Sequence, residues 1–165
     1  MANMFSSRKF SSLVLVVSAS IVLVGALPSF AGESFTAKVR WVSDGDTLVV
    51  SAGRQQTVVQ LAGIDAPELS QEFGKAARDF LADVAVKKTV VVEVLERKPN
   101  RSIVARVTVD GKDLAQALVE EGLAWASDDP SPAPLKDAEE RAQAAGDGLW
   151  SSSNPTPPWQ YRKAA

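Results

Sequence analysis

The chain has 165 residues with 18 basic and 20 acidic side chains, and it contains neither cysteine nor histidine. Disulfide stabilisation, Ser-His-Asp and Cys-His catalysis and histidine-ligated zinc are therefore excluded, and any catalysis must use carboxylates, Lys, Arg, Tyr, Ser or Thr. The net charge of −2 disfavours long-range attraction to a polyanion such as DNA, although a local basic groove remains compatible with it.

The first 31 residues have the composition of an export signal. Arg8 and Lys9 precede an apolar run over residues 12–26, and Ser29-Phe30-Ala31 forms a small-x-small cleavage site. A retained membrane anchor is the alternative, but Pro28 interrupts the run, which is shorter than the roughly 20 residues that a spanning helix needs. We therefore predict cleavage after residue 31, a periplasmic or secreted protein, and no membrane association of the mature chain.

Residues 32–150 carry the pattern of one small β-rich domain. The strands predicted from alternation and β-branched content lie over 35–42, 47–50, 57–64, 88–95 and 103–109. Helical periodicity predicts a helix from an N-cap at Ser70 after the third strand, and two more helices over 113–121 and 135–145. This order predicts an α+β fold with a closed five-stranded β-barrel of the OB type, with a generic α+β sandwich as the alternative. Residues 151–165 are rich in Ser and Pro and are predicted to be a C-terminal tail.

Two acidic segments lie about twenty residues apart, each beside a predicted strand. The first is Asp44-Gly45-Asp46-Thr47, and the second is Gly63-Ile64-Asp65-Ala66-Pro67-Glu68. This arrangement can bring Asp46 and Asp65 to one hard cation and leave Glu68 beside it as a base. The structural alternatives are turn capping by the aspartates and a favourable position for Glu68 beside a helix N-terminus.

These segments resemble the two acidic signatures of the staphylococcal nuclease (thermonuclease) family. The resemblance extends to residues 103–114 and 118–125, to Gly148-Leu149-Trp150, and to Pro157-Pro158-Trp159, which is similar to a tail common in secreted bacterial members. It runs from about residue 38 to residue 159. The resemblance implies an OB-fold barrel with three helices and an enzyme that cleaves phosphodiester bonds in DNA or RNA with Ca²⁺. We also predict that the protein is a monomer.

The resemblance also implies roles for individual acidic residues. Asp46 and Asp65 match the family's calcium-binding carboxylates, and the backbone carbonyl of Ala66 matches a further ligand. Glu68 matches the proposed general base that activates the attacking water. Two carboxylates, a carbonyl and waters are a suitable set for Ca²⁺, which prefers several hard oxygens.

The chain departs from the family at the two phosphate-binding arginines. Gln60 stands at the first of these substrate-binding positions and Ser102 at the second. Arg101, one residue away, is a candidate catalytic replacement if the preceding loop turns it inward, and it is a solvated loop residue otherwise. Asp128 and Asp129 also stand where the family often offers tyrosines or basic residues.

Three functions are compatible with these features. A weak Ca²⁺-dependent nuclease is the leading prediction. A catalytically silent OB-fold binding module of the same family is the alternative that Gln60 and Ser102 favour. A structural module that docks through its Pro-rich tail is the third.

Overall fold

The computed structural model of the protein describes residues 32–127 and 133–164. The predicted export signal and the loop aspartates Asp128 and Asp129 lie outside these residues. The strands are β1 (Ser34–Val42), β2 (Thr47–Ala52), β3 (Gln55–Leu61), β4 (Ile64–Asp65), β5 (Thr89–Arg97), β6 (Ile103–Val109), β7 (Lys112–Asp113) and β8 (Trp125–Ala126). The helices are α1 (Gly74–Ala85), α2 (Leu114–Glu120), α3 (Ala133–Ala145) and α4 (Pro158–Ala164), with a 3₁₀ turn over Gly148–Ser151. None of the helices described is both long and apolar enough to cross a membrane.

Five of these strands close into a barrel. They are ordered β3-β2-β1-β5-β6 with antiparallel neighbours, and β3 and β6 then pair in parallel. The closing ladder is short and joins Val59 to Ile103, Gln60 to Val104 and Leu61 to Ala105. The predicted α+β class and five-stranded OB-type barrel are thereby confirmed, and the open sandwich is excluded.

The core lies inside the barrel and beneath α1 and α2. Side chains on a strand alternate between its two faces, so every second residue of a barrel strand points into this core. On β5, Val90, Val92 and Val94 are buried, whereas Val91 and Leu95 are exposed. Helix α1 buries a face of small and branched residues against the barrel, and α2 does the same. The fully buried contributions of the two helices come from Ala77, Leu81, Ala85, Leu118 and Val119.

The third predicted strand is split in the structure. β3 ends at Leu61, and Gly63 adopts a φ of 78°, a conformation that few residues other than glycine accept. The chain therefore leaves the barrel, and the short β4 pairs with β8 instead. Periodicity alone gives a continuous strand here, because the apolar pattern continues through Ile64.

Helix α1 begins later than predicted. Phe73, with a φ of 63°, precedes Gly74 at the helix start, so Ser70 is not the N-cap. Residues 68–74 instead form successive turns, in which Gln71 donates its backbone N–H to Glu68 and Gly74 donates to Gln71. The tail also differs from the expectation of three helices, because residues 158–164 form the additional helix α4.

Candidate active site

The two acidic segments meet at one cleft of about 430 Å³. It lies where the β1–β2 turn, the end of β3, the short β4 and the loop before α1 come together. Five of the seven residues that the sequence predicts for the site line this cleft, namely Asp46, Gln60, Asp65, Ala66 and Glu68. The antiparallel β2–β3 pairing produces this arrangement, because it places the end of β3, which leads into the second segment, beside the turn that carries the first.

Asp46 is held at the base of the cleft and is only 8% exposed. One carboxylate oxygen accepts a hydrogen bond from the Ala66 backbone N–H at 3.1 Å, and the other accepts from the Thr47 hydroxyl at 3.0 Å. Burial raises the pKa of Asp46 to about 7, and the neighbouring charge of Asp44 adds to this, against the lowering effect of the two hydrogen bonds. A bound cation would stabilise the ionised form of this buried carboxylate.

Gly45 allows the first acidic turn to approach the second segment. A Cβ at this position would lie 2.6 Å from the Cβ of Ala66 and 2.8 Å from that of Ala77. The φ of Gly45 is not positive, so the turn does not use glycine for a left-handed backbone conformation. Its role is steric, since only a residue without a side chain lets the turn pack this closely.

Asp65 and Glu68 are positioned by short-range backbone structure. Asp65 lies opposite Trp125 in the β4–β8 ladder. The strand β8 is in turn held by Glu139, which accepts a hydrogen bond from the Ala126 N–H at 3.0 Å. Glu68 donates its own N–H to the side-chain oxygen of Gln71 at 3.2 Å, which fixes the turn that carries its carboxylate.

Gln60 contacts a cation that sequence spacing did not reveal. The Lys98 ammonium donates to the Gln60 side-chain oxygen at 2.6 Å. Gln60 is on β3 and Lys98 follows the end of β5, so the barrel closure brings the two together across the β5–β6 loop. The family's first arginine position is thus occupied by a neutral amide with a positive charge beside it.

Arg101 and Ser102 do not line the cleft. The β5–β6 loop closes on itself, with Lys98 donating its N–H to Ser102 at 2.9 Å and Arg101 donating to Lys98 at 3.0 Å. Ser102 donates its hydroxyl to the Asn100 side chain at 2.7 Å, and the Arg101 side chain is exposed. The role of Arg101 as a phosphate clamp stays a prediction, without support from this placement.

Arg162 enters the cleft from the C-terminal helix α4, within the segment whose Ser- and Pro-rich composition predicts a tail. Its two terminal nitrogens donate to the two oxygens of Asp65 at 3.1 and 2.8 Å, and one of them also donates to Glu68 at 2.9 Å. The two carboxylates raise the pKa of Arg162 further above its usual range. No spacing rule points to this contact, which spans 97 residues of sequence between Arg162 and Asp65; the one sequence signal is Pro157-Pro158-Trp159, directly before the helix.

The donor set of the cleft fits a hard divalent cation. Among the described residues no group of three or more acidic side chains is arranged to hold a metal. The candidate ligands are instead two carboxylates, Asp46 and Asp65, and the carbonyl of Ala66, leaving further positions for water or substrate oxygens. The observation in favour of this fit is the burial of the Asp46 carboxylate, because a bound cation would offset the cost of burying its charge.

Taken together, these features define a small OB-type barrel protein with an acidic cleft whose oxygen donors suit a divalent cation. Residues 58–152 match the family of staphylococcal nuclease homologues. The chain belongs to this family. The match begins within β3 and ends after the 3₁₀ turn, so it includes Gln60, Asp65 and Glu68, whereas Asp46 precedes it and Arg162 follows it.

Individual relatives extend the similarity over most of the chain. A micrococcal nuclease of Shigella flexneri is 34% identical over 163 residues, covering 90% of this chain and 91% of its own. An uncharacterized endonuclease of Haemophilus influenzae is 33% identical over 151 residues, covering 90% and 85%. A staphylococcal-like nuclease of Arabidopsis thaliana is 35% identical over 108 residues, which is 64% of this chain and 33% of that protein.

Proposed function

We propose that the protein is a nuclease that hydrolyses phosphodiester bonds of DNA or RNA in the cleft, with Ca²⁺ as its cofactor. The nuclease function is supported by the family and by full-length relatives named as micrococcal nuclease and endonuclease. The observation that carries the proposal is the convergence of Asp46, Asp65, Ala66 and Glu68 on one cleft. The choice of Ca²⁺ is supported by the all-oxygen donor set, which suits this ion.

In this proposal the acidic residues have two tasks. Asp46, Asp65 and the Ala66 carbonyl would hold the cation, which would supply positive charge for a phosphate oxygen. Glu68 is half-exposed in the same cleft and accepts the proton of the attacking water. The water oxygen forms the new P–O bond, the bond to the leaving oxygen breaks, and the leaving oxygen takes up a proton from solvent.

The experiment is cleavage of labelled single- and double-stranded DNA by the purified protein, with excess Ca²⁺ and with chelator. Glu68→Gln keeps the size of the side chain but removes the base, and we expect kcat to fall by about 10²–10⁴-fold, the usual contribution of a general base. Glu72→Gln is the matched control, because Glu72 is exposed in the same loop but outside the cleft. Calcium-independent cleavage, or equal rates for the two variants, would overturn this mechanism.

We further propose that the protein is exported and monomeric. Export is supported by the basic residues, apolar run and cleavage site of residues 1–31. The absence of cysteine is compatible with an oxidising compartment, since no free thiol is present to react there.

A further inference from the structure

Arg162 is the one cation among the described residues that line the cleft. Four acidic side chains line it as well, namely Asp44, Asp46, Asp65 and Glu68. A phosphodiester that enters is repelled by these carboxylates, and a single bound divalent cation neutralises only part of their charge. A positively charged group beside the phosphate would offset this repulsion. The two positions that the resemblance assigns to such groups hold Gln60 and Ser102, and Lys98, which contacts Gln60, does not line the cleft.

Helix α4 is attached to the domain by contacts that do not involve Arg162. Trp159 packs edge to face against Trp125, with ring centroids 6.3 Å apart at 76°. The Tyr161 hydroxyl donates to the Ser70 hydroxyl at 3.0 Å, and the Gln71 side chain donates to the backbone carbonyl of Thr156. The helix is thus seated on the loop that follows Glu68, and Arg162 is directed into the cleft by packing as well as by charge.

The guanidinium is suited to receive a phosphate. It has five N–H donors in a planar fork, and the contacts to Asp65 and Glu68 use three of them. The Arg162 side chain is 48% exposed, so substrate oxygens can reach it. A cation held at Asp65 would compete with Arg162 for that carboxylate and would free guanidinium donors for the oxygens of a substrate phosphate.

We propose that Arg162 binds the reacting phosphate and stabilises its developing charge, replacing from the C-terminal helix the arginines absent at positions 60 and 102. This inference rests on the proposed nuclease function and adds a catalytic residue to it. Without a bound cation, Arg162 remains on Asp65 and Glu68, where it limits their mutual repulsion. The C-terminal segment is accordingly part of the active site.

The test compares Arg162→Gln, Arg162→Lys and Lys163→Gln in the purified protein. Lys163 is the matched control, because it is an exposed cation next in sequence on the same helix and does not line the cleft. Cleavage of single-stranded DNA with Ca²⁺ gives kcat and KM, and fluorescence anisotropy with a phosphorothioate oligonucleotide in chelator gives metal-free affinity. Calorimetric Ca²⁺ titration without nucleic acid is the third readout.

For Arg162→Gln we expect kcat to fall by about 10²–10³-fold, as for loss of a preorganised donor to a phosphoryl transition state. Oligonucleotide affinity falls about 3–10-fold, and Ca²⁺ affinity rises by a similar factor because a competing cation is gone. Arg162→Lys is intermediate, because it keeps the charge but loses the fork. Lys163→Gln stays within about 3-fold of the parent in kcat.

Unchanged or increased kcat in Arg162→Gln, with the fold intact by circular dichroism, would overturn the proposal. Arg162 would then only neutralise Asp65 and Glu68 in the metal-free protein. If Arg162→Gln fails to fold, the folded Arg162→Lys variant decides by the same criteria. If the parent protein itself does not cleave, the nuclease proposal fails. The anisotropy arm still decides whether Arg162 contacts phosphate.

A rescue variant tests whether the missing positive charge beside the phosphate explains the loss of kcat in Arg162→Gln. In the Arg162→Gln background, Gln60→Arg combined with Lys98→Gln restores a guanidinium at the family position without placing it against the Lys98 ammonium. We expect about a tenfold or greater recovery of kcat, the share that one phosphate-binding arginine can supply. No recovery, in a folded variant that still binds Ca²⁺, would count against a missing phosphate cation as the cause of the loss.

Discussion

Asp44 and Asp46 are two residues apart and do different things in the same turn. Asp44 accepts the Asp46 backbone N–H at 3.2 Å, which is the turn-capping role that short polar side chains often have. Asp46 is buried and bonds across to Ala66. The turn-capping interpretation is therefore confirmed for Asp44, whereas the metal-binding role of Asp46 stays a prediction.

Asp46→Asn tests the cost of burying the charge at position 46. The pKa of Asp46 is raised to about 7 in the folded protein from an ordinary 3.8, so between these values the folded state holds a proton that the unfolded chain has lost. In the metal-free parent, the contribution of Asp46 to the free energy of unfolding is therefore most favourable below about pH 4. This contribution is lost as the pH rises towards 7. We expect the variant to lack this pH dependence and to gain about 1–4 kcal/mol near pH 8.

Urea unfolding in chelator between pH 4 and 8 measures this difference in the free energy of unfolding. Asp44→Asn is the control, since it removes the neighbouring charge and keeps an oxygen to cap the turn. It should lower the pKa of Asp46 and flatten the profile only in part, because burial is the larger cause of the shift. Parallel profiles for the parent and Asp46→Asn would contradict the assignment.

At the scale of elements, the loop from Glu68 to Gly74 connects the catalytic candidates to helix α1. A Cβ at Gly74 would overlap the carbonyl oxygen of Glu68 and lie 3.1 Å from the Cα of Leu69. The close approach of these two backbone segments fixes the direction in which Glu68 enters the cleft. Sequence periodicity could not show it, because it depends on Phe73 taking a positive φ before the helix.

Gly74→Ala is expected to open this loop. The methyl group must displace the Glu68 carbonyl, at a cost of about 1–3 kcal/mol in the free energy of unfolding, the usual range for steric overpacking. Cleavage should fall by at least 10-fold, since misplacement of a catalytic group by about 1 Å can cost 10²-fold. Thermal unfolding and kcat on the same preparation give the two quantities.

Gly53→Ala provides the comparison, because Gly53 lies between β2 and β3 with a φ of 61° and no atom within 4 Å of the added Cβ. It should cost about 1 kcal/mol for the left-handed backbone conformation and leave kcat unchanged. Equal losses of activity in the two variants would mean that reduced stability, and not the position of Glu68, explains the Gly74→Ala result.

At the scale of the whole molecule, the barrel and the acidic residues of the cleft were predictable, and the cations near them were not. The five strands follow from alternation of apolar residues, and the family resemblance supplies their closure. Asp46, Asp65 and Glu68 belong to local motifs, so their sequence spacing indicates that they meet. Lys98 and Arg162 reach the site through side chains from distant segments, and such contacts depend on tertiary geometry that single-sequence patterns do not contain.

The start of the first strand is compatible with the predicted site of signal cleavage. β1 begins at Ser34, and the Glu33 carbonyl accepts the Val94 N–H at 2.8 Å, so the barrel's own pairing starts just after the predicted cleavage site. Cleavage after Ala31 would thus preserve the whole first strand. We expect the exported protein to have the mass of residues 32–165 and to retain activity under reducing conditions, because it has no disulfide to lose.

Mass spectrometry after cell fractionation measures this outcome. Ala31→Leu places a bulky residue where the cleavage site needs a small one, so uncleaved precursor should accumulate in the membrane fraction. Ala26→Leu, within the apolar run, makes the same chemical change away from the site and should be processed normally. A full-length mass for the parent protein would instead indicate that residues 1–31 stay attached, and the active barrel would then work at a membrane surface.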